Sequence, residues 1–510
     1  MKQISQSKQL VINMSASFVS YGVTLFISFF LSPYIVRTIG VEANGFVGLA
    51  NNFVSYASLI TIALNSLAGR FITISITQNR EEDTNRYYTS VFFANLLIAA
   101  VLAVVGGVIV VFLDRFIRVP AELMGDVRWL FVFVFLNCVL SVVGSVFGVA
   151  TFATNQLYLE SLRNIEAHIA RALVILAGFT LTTPRICYIG LASMISGSYV
   201  LLRNVRYTKL LLPQVRIRRE FFDWHTVWDL VKSGVWNTVT RMGQILTDGL
   251  DLLITNVFID ATAMGVLSLA KTVPSLINSL MGSVVGVFSP NYTILYAQNK
   301  MGELLKAMKQ SMKIMGLVTN LPIIVLATCG SDFFALWQPT QDPVLLQQLS
   351  LLTIGTLTFS GGINCLYHLF TVVNKIKVSS LAMLTFSFAG TICTLVVLKT
   401  TSLGIYAVAG ISTVFGIVRN LVFTAPYGAL CLGQKWYYFY PDIFRPVLYT
   451  VCSSVLCMLL LRFLADSWLL LVIKACGVCV ISALIGFFII LTHSDREYLI
   501  GRFADRLRRK

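Results

Sequence analysis

Long apolar runs, one after another, leave this chain few ways to fold. From about residue 10 to residue 491 the sequence alternates between apolar stretches and short clusters of charge. About 20 apolar residues suffice to cross a hydrocarbon core as a helix. On that criterion the chain is predicted to make fourteen spans, at 10–34, 44–67, 87–113, 129–151, 164–182, 186–203, 234–259, 263–290, 314–336, 345–373, 378–398, 402–430, 446–465 and 468–491. Helices are expected because lipid offers no partner to an exposed backbone amide or carbonyl. The strand alternation of an outer-membrane barrel is absent. Charged residues make up 12% of the chain, about half the usual share in a soluble protein. The fold class read here is an all-α integral membrane bundle.

The charges that remain are unevenly placed. One set of loops holds Lys2 and Lys8, then Arg70, Arg80 and Arg86, Arg163, the run Arg203–Lys232, Lys300–Lys313, Lys375 and Lys377, Lys435 and Arg445, and the tail Arg496–Lys510. The opposite loops hold little beyond Arg37, Arg115, Arg118, Arg128, Arg185 and Lys399. Basic loops stay in the cytoplasm, so both termini are expected inside, which an even number of spans requires. Fourteen and twelve both satisfy this. The net charge of +16 is then a property of loops facing a membrane, and no nucleic-acid partner is expected. No cleavable leader is evident at Met1–Gln9.

No P-loop, GxSxG, HExxH or dinucleotide fingerprint stands in a fitting context. No catalytic residue, bound metal or cofactor is therefore expected, and ATP is not the direct energy source. The ten cysteines lie almost all inside apolar runs, where they serve as small packing residues. Only the loops at 114–128 and 337–347 on the predicted outer side have any length, too little for an external catalytic domain.

Organisation follows from the longest basic connection. It divides the chain into an N-terminal lobe (1–203), a basic connector (204–233), a C-terminal lobe (234–430), two extra helices (431–492) and a basic tail (493–510). The connector mixes Phe221, Phe222, Trp224 and Trp228 with Arg and Lys. That composition suits a partly amphipathic helix on anionic lipid, or a solvated linker with aromatic anchors. The halves are related. Ile39–Ala50 (IGVEANGFVGLA) and Ile259–Ala270 (IDATAMGVLSLA) align without gaps and share Ile, Ala, Gly, Leu and Ala. Both sit at turns on the predicted outer side, so the repeat is parallel, and sites in parallel-repeat transporters lie between lobes near the midplane.

Ser32–Gly45 (SPYIVRTIGVEANG) and Leu64–Arg70 (LNSLAGR) resemble the first external turn and second span of polysaccharide flippases. So do Ser233–Asn237 (SGVWN), Asp251–Ile254 (DLLI), Gly265 and Pro290 in the second half. The pattern is that of the multidrug/oligosaccharidyl-lipid/polysaccharide exporter superfamily, and is most similar to its O-antigen and capsule repeat-unit branch. The resemblance implies two six-helix lobes around a cavity, with spans thirteen and fourteen added. It implies transport of an undecaprenyl-pyrophosphate-linked oligosaccharide from the cytoplasmic to the outer leaflet of a bacterial cell membrane, for surface polysaccharide synthesis. Membrane lipid, a polysaccharide polymerase and chain-length proteins are the implied partners. A multidrug/cation antiporter or lipid II flippase of the same superfamily is the alternative. A membrane glycan polymerase or acyltransferase is the reading from outside it.

Ionisable residues inside spans mark candidate sites. Span seven holds Arg241, Asp248 and Asp251, whose spacings of seven and three place them along roughly one helical face. Arg241 is expected to attract diphosphate, with Lys271 and Arg70 as further cations. Asp248 and Asp251 are expected to couple H+ or Na+. An interior salt-bridge network is the structural alternative. Glu166, His168 and Arg171 are read as a local ion-pair group. Pro33, Pro274 and Pro290 are expected flexing points.

Overall fold

The computed structural model describes residues 6–78, 80–286 and 288–490. No strand occurs among them. The chain forms two compact units, Met1–Ser268 and Leu269–Lys510. The division falls after span seven, beyond the connector at 204–233 where the sequence places it.

The first unit contains α1 (Gln6–Ile39), α2 (Val41–Ala57), α3 (Leu59–Thr77), α4 (Glu81–Val111), α5 (Met124–Gly144), α6 (Leu157–Leu181), α7 (Cys187–Leu211), α8 (Trp224–Gln244) and α9 (Asp251–Phe258). The next helix, α10 (Ala261–Ala270), crosses the division. The α4 helix shows why these helices suit lipid. From Val91 onward it is apolar all round apart from the buried Asn95, as a spanning helix is. Val91, Ala94, Ala99, Leu102 and Gly106 are buried, whereas Leu97, Val101, Val104, Val108 and Val111 are exposed. Small residues let backbones approach. A Cβ on Gly190 of α7 would stand 3.0 Å from the Leu130 carbonyl of α5. A buried amide network then fixes α3, α4 and α5: Asn65 and Asn95 exchange Nδ2-to-Oδ1 bonds of 2.9 and 3.0 Å, and Asn95 also donates to Ser145 Oγ at 2.9 Å.

The second unit contains α11 (Thr272–Gly286), α12 (Ser289–Ala297), α13 (Met301–Trp337), α14 (Pro343–Val372), α15 (Ile376–Thr400), α16 (Ile405–Arg419), α17 (Ala425–Cys431), α18 (Tyr440–Leu460) and α19 (Trp468–Ile489). The last two helices are built into this unit. Ile324 and Cys329 of α13 share a core with Tyr449 and Cys457 of α18 and Val478 of α19. A Cβ on Gly316 would meet Pro446 at 2.5 Å, so only glycine fits that crossing. Lys474 of α19 donates to Asp332 of α13 at 2.7 Å and to the Phe463 carbonyl at 2.9 Å, with both charged side chains buried.

Eleven helices among the described residues are long and apolar enough to cross a membrane, against fourteen predicted spans. The three that fall short are the sixth, seventh and eighth. The sixth is α7, which carries Arg203, Arg206 and Lys209. The seventh is interrupted at Ile245–Gly249 by a wide turn with a five-residue hydrogen-bond spacing. The eighth is divided into α10, α11 and α12. The predicted second span is likewise two helices, α2 and α3, which meet at Ser58.

The connector's aromatic segment is helical, as the start of α8 and not as a separate helix. Arg219–Phe221 makes one tight turn, and Trp224 and Trp228 belong to the first turns of α8, exposed, with Lys232 over the Trp228 ring. Asp223 starts that helix, accepting from the His225 and Thr226 amides. The Thr226 hydroxyl and these amides hold its carboxyl below the usual carboxylate range. The cap is therefore at full strength above that range and weakens as pH falls through the depressed value. The tail at 493–510 lies outside the described residues.

Candidate functional site

Span seven packs against α2 and α3 through the segments singled out in its sequence. A Cβ on Gly234 of α8 would run into the Ala63 carbonyl of α3, and Asn237 Nδ2 donates to Ser66 Oγ at 3.2 Å. Ser233–Asn237 and Leu64–Arg70 are thus opposite faces of one helix crossing. Further along, the chain bends after the wide turn at Gly249. Asn52 Nδ2 and the Tyr56 hydroxyl of α2 donate to the Gly249 carbonyl at 2.8 and 2.5 Å. Wide turns of this kind recur at functional sites because they aim one carbonyl and one side chain out of the helical ladder.

That turn changes the expected arrangement of the span-seven charges. The extra residue it inserts shifts the phase between Arg241 and Asp248, so seven residues no longer return to one face. Asp248 is exposed, Asp251 is buried with 5% exposure, and Arg241 is half-buried and donates to Gln244 at 3.2 Å. Asp251 is near enough to act electrostatically on Tyr56. The structure therefore gathers Asp251 with Tyr56, Asn52 and the bent backbone, and sets Asp248 apart from it.

The other predicted residues are dispersed. Arg70 is exposed on α3, and Pro33 is half-buried within α1. Lys271, half-buried in the second unit, occupies the break between α10 and α11. Pro274 is buried just after it. Proline has no amide to donate to the carbonyl four residues back. That carbonyl, Ala270, accepts instead from Ser350 Oγ of α14 at 2.7 Å. Pro290 lies in the first turn of α12, and its side chain lies outside the described residues.

The group on α6 separates into two kinds of charge. Glu166 pairs with Arg203 at 3.3 Å and accepts from Tyr199, and Arg163 pairs with Glu160 at 3.4 Å and donates to Asn204. These fit the local ion-pair reading. Arg171, midway along the same helix, does not. Protein encloses it on nearly all sides while its side chain keeps some accessible surface. Its Nε has no hydrogen bond, and no carboxylate pairs with it among the described residues. His168, one turn away, is its electrostatic neighbour. The second unit holds a comparable residue that the sequence reading passes over. Arg419 is 8% exposed at the end of α16, lies against the Met383 sulfur and leaves its Nε unbonded. It adjoins a second wide turn, Asn420–Thr424, whose Asn420 accepts from Tyr367 at 2.9 Å. An arginine in the middle of the apolar run 402–430 was the available signal.

No family model matches the sequence. The chain is 27% identical over 502 residues to the uncharacterized membrane protein EpsK of Bacillus subtilis (strain 168), covering 97% of this chain and 98% of that protein. Three solved structures are similar in fold. A multidrug resistance MATE family transporter of the MOP superfamily, inward-facing, matches with a TM-score of 0.67 at 13% identity over 83% of this chain and 98% of its own. The lipid II flippase MurJ, inward closed, gives 0.68 at 14% over 93% and 98%. A MOP superfamily transporter from Pyrococcus furiosus Vc1 (DSM3638) gives 0.59 at 12% over 82% and 95%. The chain is a multi-pass membrane protein that shares the fold of these transporters.

Proposed function

We propose that this protein is a secondary transporter that turns a phosphate-bearing, lipid-linked oligosaccharide from the cytoplasmic to the outer leaflet of a bacterial cell membrane by alternating access. The observation that carries this reading is Arg171, a mid-span guanidinium that no carboxylate pairs with among the described residues. A charge at that depth is costly, and such residues mark substrate paths. Guanidinium matches the oxygens of a diphosphate in geometry and charge. An undecaprenyl-pyrophosphate carrier, as the sequence resemblance implies, supplies that group. Arg241, in the same unit, is a further cation of the kind suited to such a headgroup. Asp251, buried beside the bent turn of span seven, is the residue proposed to couple H+ or Na+.

The lipid II flippase match supports a lipid-linked substrate over a drug. It covers about a tenth more of the chain than the MATE match does, close to the length held in α18 and α19. The transport test uses purified protein in liposomes carrying a fluorescent polyprenyl-pyrophosphate glycan, with an impermeant quencher reporting the leaflet. Arg171→Ala and Arg241→Ala are each expected to slow turnover at least ten-fold with unchanged melting, and Arg171→Lys to restore part of it. Wild-type rates in both alanine variants would overturn the assignment. Turnover of cationic drugs but no glycan lipid would make the protein an antiporter. Asp251→Asn is expected to remove dependence on a pH or sodium gradient.

A further inference from the structure

We propose that the paired ends of α13 and α18 form a binding site for the phosphate headgroup of an anionic phospholipid, separate from any transport path. At about 1.5 Å per residue, the 37-residue α13 is about 55 Å long, well beyond a bilayer core of about 30 Å. Its first turns, with Lys306, Lys309 and Lys313, therefore stand at and beyond the membrane surface. The 21-residue α18 is only long enough to cross, so Tyr440–Arg445 lies at the same depth.

The cations there are held in place. Lys309 Nζ stands 3.9 Å from the Tyr438 ring centre and 3.8 Å from Asp442 Oδ2. Asp442 is 4% exposed, its Oδ2 has no hydrogen bond, and Lys313 and Arg445 also act on it electrostatically. Three cations thus surround one buried carboxylate, leaving a positive excess, and Lys306 and Lys435 add to it from exposed positions.

Beside them runs a ladder of rings. Trp436 packs edge-on against Tyr437 and Tyr440, and Tyr440 stacks on Phe444, with centroids 5.5, 5.6 and 5.9 Å apart. Trp436, Tyr437 and Phe444 are exposed. Aromatic rings of this kind lie at headgroup level, and basic pockets between spanning helices bind anionic headgroups. The buried acid orients Lys309 beneath the site, and the outer cations meet the phosphate.

The test measures thermal stability of the full-length protein in phosphatidylcholine nanodiscs as phosphatidylglycerol is added, and separately as inorganic phosphate or pyrophosphate is added at constant ionic strength. Melting is expected to rise with phosphatidylglycerol and not with either free anion. Lys309→Gln, Lys313→Gln and Arg445→Gln are each expected to weaken the apparent lipid affinity several-fold, and the triple variant at least ten-fold. Asp442→Asn should weaken the lipid response no more than Lys309→Gln does, because Lys309 loses its orienting acid while every cation remains. Lys375→Gln with Lys377→Gln, basic residues elsewhere, should leave it unchanged. An equal rise with pyrophosphate, an unaltered response in all three single variants, or an equal loss in the Lys375/Lys377 control would each overturn the site.

Discussion

Two buried cations show how differently the same cost is met. Lys474 has a carboxylate at 2.7 Å and a backbone carbonyl at 2.9 Å. Arg171 has neither. Removing one partner of a buried pair leaves an uncompensated charge and costs about 3–5 kcal/mol, whereas replacing both by apolar groups is close to neutral. Lys474→Met should therefore lower the midpoint of unfolding in detergent sharply. Asp332→Leu combined with Lys474→Met should recover most of the loss. A double variant no more stable than Lys474→Met would show that the pair does more than balance charge. The sequence pointed to span-seven charges, because Arg241, Asp248 and Asp251 stand inside an apolar run. It could not show that Lys474 finds Asp332, since that pairing depends on contact between helices more than a hundred residues apart. Nor could it separate Arg171 from Glu166 and Arg163, which differ in their neighbours and not in their setting along α6.

At the scale of elements, the informative helices are the broken ones. Spans seven and eight are both interrupted, at Ile245–Gly249 and on either side of α11. The sequence did not show how the freed backbone groups would be satisfied, because the donors come from other helices: Asn52 and Tyr56 for Gly249, Ser350 for Ala270. An acceptor left buried without a donor costs roughly 1–3 kcal/mol. Ser350→Ala should thus destabilise the protein by about that amount, and Ser350→Thr, which keeps the hydroxyl, by less. Equal melting of the alanine variant and the parent would mean that another donor reaches the Ala270 carbonyl. The wide turn in span seven lay beyond the sequence for a related reason. A helical wheel assumes constant winding, and the turn at Ile245–Gly249 is where that assumption fails, so Arg241 and Asp248 part company.

For the whole molecule, the all-helical membrane fold was legible from apolar run length alone, since lipid permits so few alternatives. The repeat was legible too, as Ile39–Ala50 against Ile259–Ala270. Its structural meaning was not. Gly45 and Gly265, equivalent in the two copies, touch each other: a Cβ on Gly45 would stand 2.7 Å from the Gly265 Cα, and one on Gly265 would overlap the Val41 carbonyl. Gly48 meets its own counterpart Ser268 in the same way, its Cβ position 2.6 Å from the Ser268 hydroxyl. Gly265→Val should force these turns apart. In a background otherwise free of cysteine, Ser268→Cys should then react with an impermeant maleimide several-fold faster than without the valine. Unchanged labelling would show that the turns yield without separating.

Residues that meet their own equivalents are the mark of an isologous interface, the kind found between the two subunits of a homodimer. In a homodimer one mutation alters both sides of such a contact at once. Here the two sides are written separately in one chain, so each can change alone. Gly48 facing Ser268 is already such a departure, and the hydroxyl it introduces has no twin across the contact.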